Sequence, residues 1–148
     1  MTRAENYVTL EFLSRSSNEG FARVAAAGFA AQLDPTLDEL GDIKTAVSEA
    51  VTNAIVHGYP KGFGRIVMKL RIREGNTLEI VVKDWGVGIA DVEQARKPLF
   101  TTGNDERSGM GFTIMESFMD ALRVRSAPQK GTTVTMRKRI STRMGERK

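Results

Sequence analysis

A glutamate and an asparagine stand one helical turn apart in a segment that could border a cleft. Glu49 and Asn53 are four residues apart, so on a helix their side chains lie one above the other. They fall at the margin of the apolar stripe of that helix. Side chains of these two types can take up a proton and bind a hard cation. A pair that merely faces solvent has the same spacing, so other motifs must decide between the two interpretations.

Three glycine motifs follow further along the chain. Asp84-Trp85-Gly86-Val87-Gly88 comes after a strand-like alternation, and its glycines let the backbone approach a flat or phosphorylated ligand. Asp84 can accept a hydrogen bond from an exocyclic amine. Residues 108–112 (Ser-Gly-Met-Gly-Phe) bring free N–H groups to the start of a helix, which favours phosphate. Gly131-Thr132-Thr133 opens the last strand with hydroxyl groups. Each motif alone is weak, but their order along the chain is informative.

The composition excludes several other kinds of site. The 148 residues include no cysteine and one histidine, which excludes disulfides, thiolate zinc sites, a cysteine nucleophile and a histidine-rich metal cluster. Neither a GxxxxGK[ST] loop nor a GxGxxG fingerprint occurs, so the commoner phosphate-binding folds are excluded as well. The most apolar stretch, Val24–Leu33, is too short to span a bilayer, and we expect a cytoplasmic protein. We interpret His57 as a histidine that supports the structure or a neighbouring site residue, not as a phosphoacceptor.

The order of the motifs resembles a known superfamily. An E-x-x-x-N helix followed by D-x-G-x-G, G-x-G and G-T is similar to the GHKL (Bergerat-type) ATPases. Within that superfamily, residues 48–59 (SEAVTNAIVHGY), 98–102 (PLFTT) and 107–116 (RSGMGFTIME) resemble the bacterial anti-sigma serine kinases, and most of all the sporulation anti-sigma F factors. The resemblance covers about residues 5–138. It implies an ATP-dependent protein serine kinase that also binds and inhibits a sporulation sigma factor.

The resemblance also implies a role for each site residue. Glu49 would be the general base, and Asn53 would bind a Mg²⁺ ion that bridges the phosphates of ATP. Asp84 would accept from the adenine amino group, while Thr132, or alternatively Thr133, would reach the adenine directly or through water. Arg107 would meet the γ-phosphate and stabilise charge that develops during transfer. The other implied nucleotide-binding residues (ATP or ADP) are Gly86, Gly88, Thr101, Thr102, Ser108, Gly109, Met110, Gly111 and Phe112.

Three partners are implied in the same way. They are a sigma factor, an anti-anti-sigma (STAS-type) protein whose serine receives the phosphate, and a second copy of the chain that binds through the first strand and first helix. Arg23, flanked by apolar residues in the first helix, is the candidate partner contact. A solvated helix arginine is nearly as good an interpretation. No membrane or direct nucleic-acid partner is expected.

Two alternative functions share this fold. One is a detached histidine-kinase-type ATP-binding domain. The sequence shows no phosphoacceptor helix hairpin, which argues against this alternative. The other is a nucleotide-dependent sigma-binding module without phosphotransfer, which differs from the kinase in the need for Glu49.

A nucleic-acid binder is disfavoured by the position of the positive charge. The net charge is +4, but Arg137–Lys148 holds six basic residues and one acid, a contribution of +5. Residues 1–136 therefore sum to −1, and the basic segment is interpreted as a solvated terminus.

The patterning predicts one domain over residues 1–140 and a basic, disordered tail over 141–148. The expected fold is an α+β two-layer sandwich, with a mixed, mostly antiparallel sheet and about three helices on one face. The predicted strands are 7–13, 65–73, 77–83, 121–127 and 132–139. The predicted helices are a first one from a Ser17 or Asn18 cap to Gln32, a second over 38–56 that ends in a left-handed Gly58 cap, a short turn at 91–95, and a last one over 109–120.

The expected core includes one stripe of each long helix. The buried candidates are Phe21, Val24, Gly28 and Phe29 in the first helix, Ile43, Ala46, Val47, Ala50 and Ala54 in the second, and Met110, Met115 and Met119 around the last.

Overall fold

A computed structural model describes residues 4–97 and 110–141 of the chain. Five strands form one sheet in the order β1-β2-β3-β5-β4, and every neighbouring pair is antiparallel. The strands are β1 (Ala4–Leu13), β2 (Arg65–Arg73), β3 (Thr77–Asp84), β4 (Ala121–Ser126) and β5 (Thr132–Arg139). The helices are α1 (Ser17–Ala30), α2 (Leu37–Asn53), α3 (Val92–Arg96) and α4 (Gly111–Phe118).

The sheet follows from alternation along its strands, with Val67 in β2 and Val81 in β3 as apolar exceptions on the other face. In β2 the apolar side chains of Ile66, Met68, Leu70 and Ile72 are buried towards the helices, while the residues between them are mostly basic. The Glu74-Gly75-Asn76 turn joins β2 to β3 with positive φ angles of 78° at Gly75 and 57° at Asn76. The predicted α+β sandwich with helices on one face is confirmed. The sheet is fully antiparallel rather than mixed.

Helix α2 lies at the centre of the core. Its predicted stripe is buried throughout, as are Met115 and Met119 from the region of α4. A capping box begins α2: the Thr36 hydroxyl accepts from the Glu39 N–H at 3.1 Å, and the Glu39 carboxylate accepts from the Thr36 N–H at 2.9 Å. Glu39 also accepts from the Ser141 N–H at 2.9 Å, so the end of the described chain is attached to the start of this helix.

Helix α1 buries a different stripe from the predicted one. Its buried residues are Ala22, Ala26, Phe29 and Ala30. Phe21 is 60% exposed, Val24 is 65% exposed, and Gly28 is exposed too. Small side chains let α1 pack closely on α2, so the larger residues are left on the outer side. The predicted cap is also wrong, because the helix follows Ser16 without a side-chain cap.

The C-terminal end of α2 differs from the prediction as well. The α-helix ends at Asn53 and continues as a single π-helical turn, Ala54–Gly58. Among the described residues the glycines with positive φ are Gly75, Gly88 and Gly131, so Gly58 is not a left-handed cap. A Cβ at Gly58 would lie 3.0 Å from the Asp84 carboxyl group. Gly58 is therefore required for this close approach to Asp84.

Three of the six basic residues of the C-terminal segment belong to the sheet. Arg137, Lys138 and Arg139 lie in β5, and Lys138 forms a 3.5 Å ion pair with Asp42 of α2. The interpretation of these three residues as part of a solvated terminus is wrong, because each is paired along the strand. Residues 142–148 lie outside the described part. In the part that is described, no helix is long and apolar enough to cross a membrane.

Candidate functional site

A cavity of about 400 Å³ opens between α2, α4 and the adjacent ends of β3 and β5. That volume is within the usual range for a small-molecule site. Five of the predicted nucleotide-binding residues line it: Asn53, Asp84, Gly88, Phe112 and Thr132. The remaining wall is mostly apolar, so the cavity is an apolar cleft with a few polar groups.

Asp84 and Thr132 meet at the sheet end of the cavity because of strand register. They are direct partners in the β3–β5 ladder, as are Val82 and Val134, two residues further along each strand. Asp84 is only 5% exposed, and its carboxylate accepts from the Gly86 N–H at 2.9 Å. Burial raises the pKa of Asp84 above its usual value, against the opposing effect of N–H groups from Gly86 and Thr132. Asp84 is a buried acceptor facing an apolar cleft.

A small hydroxyl network defines which way Thr132 can bond. Ser126 Oγ donates to the Gly131 carbonyl oxygen at 2.8 Å and accepts from the Ile89 N–H at 2.7 Å. Its 2.8 Å contact with Thr132 Oγ1 must then use the threonine proton, since the serine has only one. Thr132 Oγ1 is left as an acceptor towards the cavity. Both polar groups at this end therefore favour a ligand that donates hydrogen bonds.

The loop after β3 is held closely from two sides. A Cβ at Gly86 would overlap the Gly58 carbonyl group, and one at Gly88, where φ is 76°, would overlap the Ala127 carbonyl oxygen. The Val87 N–H donates to the Gly58 carbonyl oxygen at 2.9 Å. Tyr59 adds a further link, because its hydroxyl accepts from the Trp85 N–H and donates to the Arg65 carbonyl oxygen, both at 2.7 Å. The glycines let this loop form one wall of the cavity.

Glu49 and Asn53 meet the start of α4 on the other side of the cavity. A Cβ at Gly111 would lie 3.0 Å from Asn53 Nδ2 and 3.4 Å from Glu49 Oε1. Gly111 therefore brings the N-terminus of an eight-residue helix against the two polar side chains of α2. Both side chains are half-buried, as expected at the margin of the apolar stripe. The arrangement combines a carboxylate, an amide and helix N–H groups in one corner.

Several predicted residues are not brought into the cavity wall. Glu49, Gly86, Gly111 and Met110 lie beside it without lining it, and Met110 is half-buried immediately before α4 rather than part of the core. Arg23 is on α1, away from the lining residues, where it pairs with Glu19 at 3.6 Å. The positions outside the described residues are Thr101, Thr102, Arg107, Ser108 and Gly109.

Sequence reasoning missed most of the apolar wall. Val82 and Val134 stand two residues from Asp84 and Thr132, so strand alternation alone places them on the same face, and this signal was available. Ile89 and Ala95 come from the segment after β3, where no periodicity indicates a direction. His57, interpreted as a supporting histidine, is exposed and lines the cavity. Its position depends on the π turn that ends α2.

A divalent cation could be held here only in part by the protein. No group of three or more histidine, cysteine, aspartate or glutamate residues that could hold a metal occurs in residues 4–97 and 110–141. Asn53 offers one hard amide oxygen beside Glu49. A single protein oxygen fits Mg²⁺, which keeps several waters and is commonly shared with substrate phosphates.

Comparison with known proteins decides the family. Residues 14–138 match the family described as Histidine kinase-like ATPase domain. The chain is 57% identical over 138 residues to an anti-sigma F factor from Thermoanaerobacter, covering 93% of this chain and 96% of the relative. It is 58% identical over 137 residues to one from Geobacillus kaustophilus, covering 92% and 94%.

The chain belongs to the anti-sigma F factor family. This confirms the resemblance found in the motifs. An anti-sigma F factor of this kind contains an ATPase domain, which implies that it binds nucleotide.

Solved structures support the fold of this anti-sigma F family member. A Mycobacterium tuberculosis protein with RsbU and RsbW domains matches at a TM-score of 0.64 and 19% identity, covering 91% of this chain and 32% of that one. A blue-light activated histidine kinase of Erythrobacter litoralis matches at 0.60 and 20% identity, covering 87% and 42%. At these identities the likeness concerns the fold alone.

Proposed function

We propose that this protein is an anti-sigma factor that binds a sigma factor and, with Mg-ATP, phosphorylates a serine of an anti-anti-sigma antagonist. The observation that carries the proposal is the approach of Gly111 to both Glu49 and Asn53, beside a cavity with Asp84 at its other end. This arrangement supports a base pocket and a phosphate corner in one site. The names of the relatives support the sigma factor as partner.

The sheet end of the cavity suits the adenine base. The Asp84 carboxylate would accept from the exocyclic amine, and Thr132 Oγ1 would accept a second bond directly or through water. Val82 and Val134, neighbours on the same face of the sheet, would pack against the flat ring. A hydrogen bond to a buried charged acceptor contributes about 1.5–3 kcal/mol, which makes Asp84 the main determinant of base recognition.

The corner between α2 and α4 suits the phosphates. The N–H groups at the start of α4 and its helix dipole favour negative charge there. Asn53 would hold Mg²⁺, which supplies neutralisation of phosphate charge when it is bound. Arg107, together with Ser108 and Gly109, lies outside the described residues, and its contact with the γ-phosphate is part of the proposal. Gly111 leaves room for this approach because it has no side chain.

Glu49 is proposed as the general base. The partner's serine Oγ would bond to the γ-phosphorus while the bond from that phosphorus to the β–γ bridging oxygen breaks, and ADP leaves. The proton of the serine hydroxyl would pass to the Glu49 carboxylate. A half-buried carboxylate beside the phosphate corner is positioned to take it. General-base catalysis typically contributes about 10²–10⁴-fold in rate.

The surface of α1 supports a separate docking site for the sigma factor. Arg23 stands between Phe21 and Val24, whose side chains are largely exposed. An arginine among exposed apolar side chains is typical of the centre of a protein interface. We propose that other residues of α1, with β1, contribute to a homodimer.

Replacement of Glu49 tests the kinase function. Purified wild-type, Glu49→Ala and Glu74→Ala proteins would be incubated with labelled Mg-ATP and candidate antagonist proteins, and the phosphoserine located by mass spectrometry. Glu74 is a matched control on the exposed β2–β3 turn. We expect Glu49→Ala to lower transfer at least 100-fold while ATP and sigma-factor binding remain within about twofold.

Other results would change the assignment. Unchanged transfer by Glu49→Ala would remove Glu49 as the base. No transfer by the wild type, with nucleotide-dependent sigma binding retained, would identify a sigma-binding module without phosphotransfer. Phosphate on a histidine of the partner would instead favour a histidine-kinase-type domain.

A further inference from the structure

The sheet face opposite the helices carries a dense set of positive charges. Strand register places nine basic side chains and three acidic ones on this open face. The basic residues are Arg65, Lys69, Arg71, Arg73, Lys83, Arg123, Arg125, Arg137 and Arg139, and the acids are Glu5, in the bulge of β1 opposite Arg73, Glu11 and Glu79. Seven of the nine basic residues are exposed, and Arg71 and Arg73 are half-buried. The open face therefore has an excess of six positive charges (9 − 3 = 6).

An internal carboxylate orders the centre of the open face. Glu79 is 3% exposed, and three guanidinium groups converge on it: Arg137 at 2.9 Å, Arg73 at 3.1 Å and Arg71 at 3.3 Å. One carboxylate cannot neutralise three guanidinium groups, so a charge of +2 remains. An arginine has five N–H donors, so each can still bond to another anion. The arginines are held in place before any partner arrives.

The near-neutral net charge of residues 1–136 conceals the positive charge of the open face. Residues 1–136 sum to −1, and seven of the nine basic residues and all three acids of the open face lie within them. That part of the face contributes +4 (7 − 3), so the rest of residues 1–136 carries −5. The low total therefore does not mean that the open face itself is near neutral. It is no argument against an anionic partner at the open face.

We propose that the open face docks a folded protein partner that presents a cluster of aspartate and glutamate side chains. Seven of its nine cations are arginines, whose planar groups match carboxylates in pairs. With strands about 4.8 Å apart and about 3.4 Å of rise per residue, five strands give a flat face of roughly 20 by 25 Å. That is of the order of one partner's share of a small protein interface.

Other occupants fit the open face less well. A second copy that presented the same face would bring two excesses of positive charge together. Duplex DNA is read by elements that enter a groove, and a flat sheet face offers none. Single strands need a series of open aromatic platforms. Tyr7 offers one exposed ring on this face, but the Trp85 ring already carries the Arg65 guanidinium at 3.8 Å and the Lys83 ammonium at 5.0 Å.

Charge reversal on the open face tests the proposal. The probe is a fluorescein-labelled dodecamer of glutamate, followed by fluorescence anisotropy from 50 to 300 mM salt. Lys69→Glu/Arg123→Glu removes two exposed cations that have no ion pair within the described residues. Lys44→Glu/Lys61→Glu makes the same change of charge off the face. We expect the face variant to bind at least tenfold more weakly and the control within twofold of wild type.

Two additional measurements separate the other occupants. On titration of the wild type with the glutamate peptide, amide NMR shifts should concentrate at open-face positions such as Thr9 and Thr135, which needs no variant to fold. A thymidine oligonucleotide of matched charge should bind more weakly than the peptide. The proposal would be overturned if the wild type did not bind the peptide, or if the face variant and the control variant lost the same affinity for it. It would also be overturned if the NMR shifts lay outside the open face, or if the oligonucleotide bound more tightly than the peptide and this binding were lost in the face variant. Loss of self-association in the face variant alone, measured by sedimentation, would overturn it as well.

Discussion

At the scale of single residues, Asp84 combines an ionisable side chain with a buried position. It is a buried carboxylate whose partners are backbone N–H groups, and burial raises its pKa. A folded-state pKa above the unfolded value means that ionised Asp84 costs stability at neutral pH. That cost is relieved as the pH falls through the folded pKa. The proposed bond to the adenine amino group would give this destabilising carboxylate a role in binding.

Replacement of Asp84 by asparagine separates these two effects. We expect nucleotide affinity to fall about 10–100-fold, because a charged acceptor is lost, while the free protein is no less stable than wild type. The affinity of the wild type should also decline on acidification, at a pH above that at which an ordinary aspartate titrates. The variant should lose this pH dependence. Calorimetric titration with ATP between pH 5 and 8 and thermal unfolding measure both.

The control for Asp84→Asn is Asp91→Asn. Asp91 lines the same cavity, but it is exposed and caps α3, a role that asparagine can also fill. Affinity unchanged in Asp84→Asn, or lowered equally in both variants, would contradict the assignment of Asp84 to the base.

Two glycines allow a matched comparison of close packing. Alanine at Gly86 would place its Cβ against the Gly58 carbonyl group, whereas nothing lies within 4 Å of a Cβ at Gly28 in α1. We expect Gly86→Ala to lower the free energy of unfolding by more than about 2 kcal/mol. Gly28→Ala should raise it by about 0.5–1 kcal/mol. Urea unfolding measures both, and equal effects would contradict the described loop geometry.

At the scale of elements, the open face of the sheet depends on Glu79. Burial acts to raise the pKa of Glu79, but the bond and charge of Arg137 and the charge of Arg73 outweigh it, and the pKa is lowered. A lowered folded-state pKa contributes stability above the unfolded pKa, and this is lost as the pH falls through the folded pKa. Ionised Glu79 therefore stabilises the sheet at neutral pH.

Glu79→Gln should accordingly destabilise the protein in a pH-dependent way. We expect a loss of about 1–3 kcal/mol at pH 7, where three guanidinium groups lose their common carboxylate. The difference from wild type should shrink as the pH falls through the lowered pKa of Glu79 and the wild-type carboxylate becomes protonated. Urea unfolding across pH tests this, with Glu74→Gln, on the neighbouring exposed turn, expected to stay within about 0.5 kcal/mol. A loss independent of pH would show that packing, not charge, is responsible.

The elements also show how far a single sequence predicts this structure. Alternation located β2 and β5 at their observed bounds, because a half-buried strand has a period of two. In α1, hydrophobicity favoured Phe21 and Val24, while the core selected small alanines for close packing with α2. The π turn after Asn53 has no local signal. Five of the predicted nucleotide-binding residues line the cavity, but the Asp84–Thr132 pairing depends on register between distant strands.

At the scale of the whole molecule, sheet and helices present two surfaces of opposite character. The helix side bears the cavity and the exposed apolar residues of α1, while the open face bears the excess of arginine. A summed charge cannot reveal this, because equal numbers of opposite charges can be mixed or separated. The cavity and the open face therefore lie on opposite sides of the sheet and share no residue.

The proposed nucleotide pose is tested most directly by a crystal structure with a non-hydrolysable ATP analogue and Mg²⁺. We predict the adenine amino group within hydrogen-bond distance of the Asp84 carboxylate, the metal on the Asn53 amide oxygen, and the γ-phosphate between Glu49 and the start of α4. A nucleotide bound elsewhere, or one in this cavity with its phosphates directed away from Glu49 and Asn53, would contradict the proposed mechanism.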